Sequence, residues 1–319
     1  MLPPLSERAR GRWTGLLPML GVDSRFLSGR KNGPCPICGG KTRFRYDDKE
    51  GRGTWICNHC GAGDGADLAM KVLGIDFKEL AERIAPLIGE VKPTAPKKDR
   101  SHDDTRKSLN ALWQASRPVE RGDAVSRYLS ARVDLVAVPD CLRTVERLRY
   151  QDDKPSFHPG MIAKVAALDG SGVQIHRTYL TTDGRKADVE SPRRMMPGVI
   201  PDGAAVRLFP PGAVLGIAEG IETAFAAASL FGVPVWAALN SVMLTKWEAP
   251  PDVEEVVIFG DPDRNYDGQA AAYALAKRLR HPPTKPKSPV FTGRVRVEIP
   301  DTLGSDWCDV FNAGRRAAA

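Results

Sequence analysis

Long apolar runs are missing from this 319-residue sequence. Its most apolar stretch, residues 223–239, is too short to span a bilayer and is broken by Gly232 and Pro234. The opening residues, MLPPLSERARGRW, contain no uninterrupted apolar segment of the kind a secretory signal needs. Cysteine is scarce, with six in all, four of them between positions 35 and 60. A secreted disulfide framework spreads its cysteines through a smaller chain. No internal repeat is visible. Together these absences point to a reducing, cytoplasmic location with no membrane partner. Apolar residues at 42% and charged residues at 27% argue against collagen, coiled coil and wholesale disorder.

What is present is unevenly distributed. The net charge is +7, which suits a polyanionic partner. Residues 1–100 carry 18 basic and 12 acidic side chains, residues 101–210 carry 17 and 14, and residues 211–319 carry 11 and 13. The front of the chain is therefore basic and the back slightly acidic.

The pattern divides the chain into an α+β multidomain protein. Residues 1–88 form a compact unit closed by a helix in DFKELAERIAPLIG. There Asp76 and Glu79 make an approximate capping box, and Phe77, Leu80, Ile84, Leu87 and Ile88 share a face. Residues 89–105 are rich in Pro, Lys and small polar residues and read as a flexible linker. Residues 106–212 read as a mixed α+β module. It has two short helices, the second capped by Asp123, then a hairpin over 161–180 that turns at Asp169-Gly170-Ser171-Gly172. From 213 to 319 strands alternate with helices, which implies an α/β module with a largely parallel sheet. Residues 281–289 form a basic, proline-rich loop within it.

Cys35-Pro-Ile-Cys38 and Cys57-Asn-His-Cys60 form a C-x2-C-x18-C-x2-C arrangement. Each pair fits a knuckle that points two thiolates at one zinc ion, and four thiolates close the coordination shell, so the metal is structural. His59 reads as a surface residue. Between the knuckles, Lys41, Arg43 and Arg45 alternate with Phe44 and Tyr46, with Trp55 further on. The basic face fits nucleic-acid phosphates. The aromatics could stack on bases, but the small core of a ribbon is the favoured reading.

Glu219 ends an apolar strand and is followed by Gly220 and a helix; Asp261 and Asp263 end another. In an open α/β sheet ligands gather at the carboxyl ends of strands. Three carboxylates brought together there fit magnesium or manganese and phosphoryl transfer. Asp301, Asp306 and Asp309 follow a further strand, and Asp267 reads as a helix cap. His176, Arg177, Lys186, Arg193 and Arg194 form either a basic wall for phosphates, best supported for Arg177 and Lys186, or a solvated loop. Asn240 ends a strand near the same cleft, or simply makes a turn.

The ordered set of Glu219-Gly220, Asp261-Pro-Asp263 and Asp306/Asp309 resembles a Toprim domain. The zinc segment with WICNHCGAGDGADLAMKVLG resembles the zinc-binding domain of bacterial-type (DnaG-type) primases. The segment IHRTYLTTDGRKADVESPRRMMPG, with LWQASRPV and RYLSARV, is similar to the polymerase core of phage and plasmid primases. The resemblance implies a DNA primase that synthesises RNA primers on single-stranded DNA from ribonucleoside triphosphates. It implies Glu219 as the catalytic acid residue, Asp261 and Asp263 as magnesium ligands, and Asp306 and Asp309 as further ligands. Two departures stand out. Cellular primases commonly carry an aspartate four residues after the glutamate; here that position is Thr223, and Glu222, one residue earlier, reads as pointing elsewhere. Cys38 stands where cellular primases often have histidine. No Gly-x-x-x-x-Gly-Lys-Ser/Thr segment occurs, so a separate replicative helicase is the expected partner. The alternatives are a Toprim nuclease using the same metals and a non-catalytic single-stranded-DNA-binding accessory.

Overall fold

The computed structural model describes residues 4–27, 32–89, 91–93, 102–133, 135, 137–151, 154–281 and 290–318. Most of the linker and of the basic proline-rich loop lies outside them. The chain splits into two compact units, 1–101 and 102–319.

The first unit begins with α1 (Leu5–Arg8), α2 (Trp13–Met19) and a 3-10 turn at Ser24–Leu27. An antiparallel ribbon follows, ordered β1 (Phe44–Tyr46), β2 (Trp55–Cys57), β3 (Gly61–Gly63). It leads into α3 (Gly65–Leu73) and α4 (Phe77–Ile84). Asp64 caps α3 by accepting from the Asp67 amide, and Asp76 caps α4 through Glu79. Trp13, Leu16, Leu17, Phe44, Tyr46, Trp55, Leu68, Leu80 and Ile84 form one core. Phe44 and Trp55 stack at 5.8 Å between ring centroids, so the ribbon aromatics are core. Gly65 permits this packing: a Cβ there would lie 2.2 Å from the Trp13 ring. Phe77 departs from its expected core position and is 57% exposed. It is the first residue of α4, which stops at Ile84 before Pro86.

The second unit opens with α5 (His102–Gln114), β4 (Arg117–Pro118) and α6 (Ala124–Arg132). Asp123 caps α6 by accepting from the Ser126 amide at 2.7 Å. Then come β5 (Leu142–Tyr150), β6 (Ser156–Ala166), β7 (Gly172–Tyr179) and β8 (Arg193–Met195), which with β4 make a five-stranded sheet in chain order. The β6–β7 hairpin turns where its sequence indicates, with Gly170 at φ +86°.

Beyond it lie β9 (Val214–Ala218), α7 (Ile221–Phe231), β10 (Val235–Ala237), α8 (Ser241–Lys246), β11 (Glu255–Phe259), α9 (Asp267–Arg280), β12 (Arg294–Glu298) and α10 (Trp307–Ala318). The four strands form a parallel sheet ordered β10-β9-β11-β12. Strands β9 and β11 are almost continuously buried, as in a sheet covered on both faces. One core joins this sheet, α6, α7 and one face of the five-stranded sheet. A smaller cluster covers the other face with Leu109, Leu112 and Trp113 of α5.

Candidate metal centres and acidic cleft

The four knuckle cysteines converge, with their sulfurs all within 4.8 Å of one another. Cys35 Sγ lies 3.8 Å from Cys60 Sγ, and Cys38 Sγ lies 3.9 Å from Cys57 Sγ. Zinc–sulfur bonds of about 2.3 Å put tetrahedral thiolates about 3.8 Å apart, so the spacing fits zinc. Each knuckle is followed by a glycine in the left-handed region, Gly39 at φ +71° and Gly61 at φ +91°, which lets the chain double back. Burial pushes the Cys57 thiol up to about 11. Burial and the neighbouring sulfurs raise Cys60 as well. A divalent cation is what stabilises four thiolates held this close. His59 is outside the quartet.

The basic face of the ribbon is less open than its alternation implies. Arg45 forks onto Asp47, with its second nitrogen 3.1 Å from Oδ2, and is largely neutralised. Lys41 is exposed and Arg43 half-buried.

In the second unit, Glu219 follows β9, Asp261 and Asp263 follow β11, and Asp306 follows β12 just before α10. Adjacent parallel strands β9 and β11 thus deliver the first three to one end of the sheet. The Glu219 carbonyl accepts from the Leu239 amide at 2.7 Å, and Leu239 adopts φ +75° to make this contact. Asp261 is the centre of the group. Burial, then the charges of Glu219, Asp306 and Asp263, push its carboxyl up to about 8, with Arg193 acting in the opposite sense. Its Oδ1 is shut off from solvent and has no hydrogen-bond partner. A shielded, unpartnered carboxylate oxygen among three other carboxylates fits a hard divalent cation. The cluster is open, however. Among the described residues, only the cysteines bring three or more ligand atoms all within 4.8 Å.

Other acidic residues have local work. Asp263 Oδ2 accepts from the Gly268 amide at 3.1 Å and so caps α9. That is the role expected of Asp267, which instead is the first residue of the helix and accepts from Asn265. Gly268 lets the helix approach closely: a Cβ there would lie 2.4 Å from the Asp261 carbonyl oxygen. Asp306 accepts from the Asp309 amide at 2.8 Å, and Asp309 reaches back to the Asp306 amide at 3.3 Å. Asp309 is exposed and serves this reciprocal cap, which explains its presence without a metal. Asp301 is exposed too. Asn240 caps α8 through Met243.

The β7–β8 register sorts the basic residues by face. His176 pairs with Met195, Arg177 with Arg194, and Thr178 with Arg193. Directly opposed residues share a face and neighbours alternate. Arg177 and Arg194 lie on the α5 side. Arg177 donates to the Met195 carbonyl at 2.9 Å and sits 5.7 Å from the Tyr179 ring centroid. Arg194 stacks 3.9 Å over Tyr150. Arg177 is therefore a packing residue here, and its expected place at the phosphates does not match its face. Arg193 is on the other face and acts on Asp261. Lys186 is half-buried and acts on the same region, feeling Glu222 and Asp306. The strand alternation of 193–195 carries the signal for Arg193, but reading it requires the partner strand.

Comparison with known families agrees with this architecture. Residues 30–66 match the family described as the zinc-binding domain of primase-helicase, and residues 214–316 match the Toprim domain. Residues 103–208 match a domain of unknown function, DUF7146. The chain thus combines a primase-type zinc ribbon, a mixed α+β middle and a Toprim domain. Among solved structures, the primase fragment of the bacteriophage T7 primase-helicase protein aligns at 13% identity over 90% of this chain and 96% of its own, with a TM-score of 0.39. The Aquifex aeolicus primase (zinc-binding and RNA polymerase domains) aligns at 15% over 92% and 80%, with a TM-score of 0.38. The RNA polymerase domain of Mycobacterium tuberculosis primase DnaG aligns at 16% over 68% and 82%, with a TM-score of 0.41. Among the described residues no helix is long and apolar enough to cross a membrane.

Proposed function

We propose that this protein is a DNA primase that makes short RNA primers on single-stranded DNA. One observation carries the reading: a primase-type zinc ribbon and a Toprim domain occur in one chain, and the latter gathers carboxylates around Asp261, whose Oδ1 is shut off from solvent and unpartnered. In the reaction a 3′-hydroxyl oxygen bonds to the α-phosphorus of the next nucleotide and loses its proton. The bond from that phosphorus to the bridging oxygen breaks, and pyrophosphate leaves. Magnesium or manganese, held by Glu219, Asp261, Asp263 and Asp306, would supply positive charge at the attacking and leaving oxygens.

The remaining work falls to the chain's own groups. Arg193 and Lys186 offer donors to the triphosphate from the cleft side of the five-stranded sheet. Lys41 and Arg43 offer contacts to template phosphates, while the ribbon aromatics support the fold. One zinc ion holds the ribbon in shape. A replicative helicase is a further proposed partner, since the matching ribbon family is described from primase-helicases.

The test is direct. Zinc-loaded protein with single-stranded DNA, ribonucleoside triphosphates and magnesium yields short oligoribonucleotides, and Asp261→Asn or Glu219→Gln lowers the yield at least a hundredfold. Absence of product on varied templates overturns the reading. Degradation of DNA by magnesium alone identifies a Toprim nuclease instead.

A further inference from the structure

The first turn of α7 holds a carboxylate that the cleft chemistry does not use. Glu222 is only 7% exposed. The Tyr128 hydroxyl, from α6, donates to its Oε1, and Tyr128 is itself buried. This bond links the Toprim helix to the middle module across 94 residues of sequence. A buried carboxylate is costly unless charges and hydrogen bonds compensate it. Here burial pushes Glu222 upward, but Arg193, Lys186 and the Tyr128 hydroxyl outweigh it and hold the group ionised. The balance is mutual, since Glu222 and Asp306 favour the charged form of Lys186.

The two cations are arranged in a particular way. Neither side chain makes a hydrogen bond or ion pair with another described residue. Arg193 also acts on Asp261, and Lys186 feels Asp306. Arg193 lies on the face of β8 turned away from α5, and Lys186 bridges to Leu180 just past β7. Both feel the buried Glu222 as well as the acidic group, and their N–H groups are uncommitted among the described residues. A guanidinium and an ammonium presented in this way suit a polyphosphate.

We propose that Glu222, oriented by Tyr128, is a positioning residue that holds Arg193 and Lys186 at the cleft for the triphosphate of the incoming nucleotide. The proposal rests on the primase reading above. It makes a prediction whose sign separates it from a simpler role. A carboxylate that is merely nearby repels the triphosphate, so its neutralisation tightens nucleotide binding. A carboxylate that positions the cations weakens binding when neutralised.

The experiment measures equilibrium binding of ribose-labelled fluorescent ATP, with magnesium, to the full zinc-loaded chain, and in parallel the KM and kcat of primer synthesis. Glu222→Gln keeps the size and an acceptor for Tyr128. It is expected to raise the Kd at least fivefold and the KM with it, while kcat changes less than threefold. In an Arg193→Ala/Lys186→Ala background the same substitution is expected to have no effect. Tighter or unchanged binding in Glu222→Gln overturns the proposal. If that variant does not fold, Tyr128→Phe carries the test: at least a twofold rise in Kd supports the proposal and no change overturns it. Wild-type protein that neither binds the nucleotide nor primes overturns the primase reading instead.

Discussion

Arg193 lies directly opposite Thr178 in the β7–β8 ladder, one position along from the pair formed by Arg194 and Arg177. That single step puts the two arginines of one dipeptide on opposite faces of the sheet. Arg193→Ala is therefore expected to raise the KM for nucleotide about tenfold. Arg177→Ala is expected to leave that KM unchanged and to cost about 1–2 kcal/mol of stability through the lost ring contact and carbonyl bond. Urea melts and initial-rate kinetics on the two variants check the contrast.

Chelation is expected to unfold the first unit and leave the second largely intact, because each unit has its own core. Native protein should contain one zinc per chain and few reactive thiols, since Cys141 and Cys308 are buried. After chelation the four knuckle thiols become reactive. Thiol titration with metal analysis checks this, and zinc retained by Cys57→Ser at full stoichiometry would contradict it.

In metal-free protein Asp261 contributes a loss of stability as pH rises from about 4 towards 8, offset below about 6.5 by the opposite contribution of His176 and read as the difference between wild type and Asp261→Asn. The Asp261 carboxyl is raised to about 8 in the folded chain, so the native state holds the extra proton throughout that window. The slope is about 1.4 kcal/mol per pH unit for one such group. Asp261→Asn removes that slope, so its advantage over wild type grows with pH and vanishes when magnesium is added. Parallel urea-midpoint profiles for the two proteins would contradict the assignment.

The opposite slope belongs to His176. Burial and the charge of Arg193 lower its pKa to about 4, so it stays neutral in the fold. Between pH 6.5 and 4 the unfolded chain binds a proton that the native chain does not, and stability falls as pH falls. The loss amounts to about 3 kcal/mol across the window. His176→Gln removes this contribution, so its stability relative to wild type should rise as pH falls from 6.5 to 4, whatever its stability at neutral pH.

Local chemistry was readable in the sequence; chemistry assembled across strands was not. The zinc quartet is written in two short spacings, and the placement of Glu219, Asp261 and Asp263 at strand ends follows from apolar runs that stop at acidic residues. Strand β5 was hidden: LRTVERLRY is rich in helix-forming Leu, Arg and Glu, and a bulge between Val145 and Leu148 disrupts its alternation. The division between Arg177 and Arg193 depends on a pairing register that a single strand does not display. Glu222 finds its partner on a helix far earlier in the chain. Asp267 lost its cap to Asp263 because the loop before α9 turns through Tyr266 in a left-handed conformation.

The left-handed turn at Leu239 has a consequence for how this centre can be altered. Leucine in that conformation costs roughly 1–2 kcal/mol, and here the geometry secures a main-chain bond to the Glu219 carbonyl. Glu219 is thus held through its main chain, between a buried strand and a strained turn, and the aim of this carboxylate depends on a residue further along the chain that carries no functional group of its own.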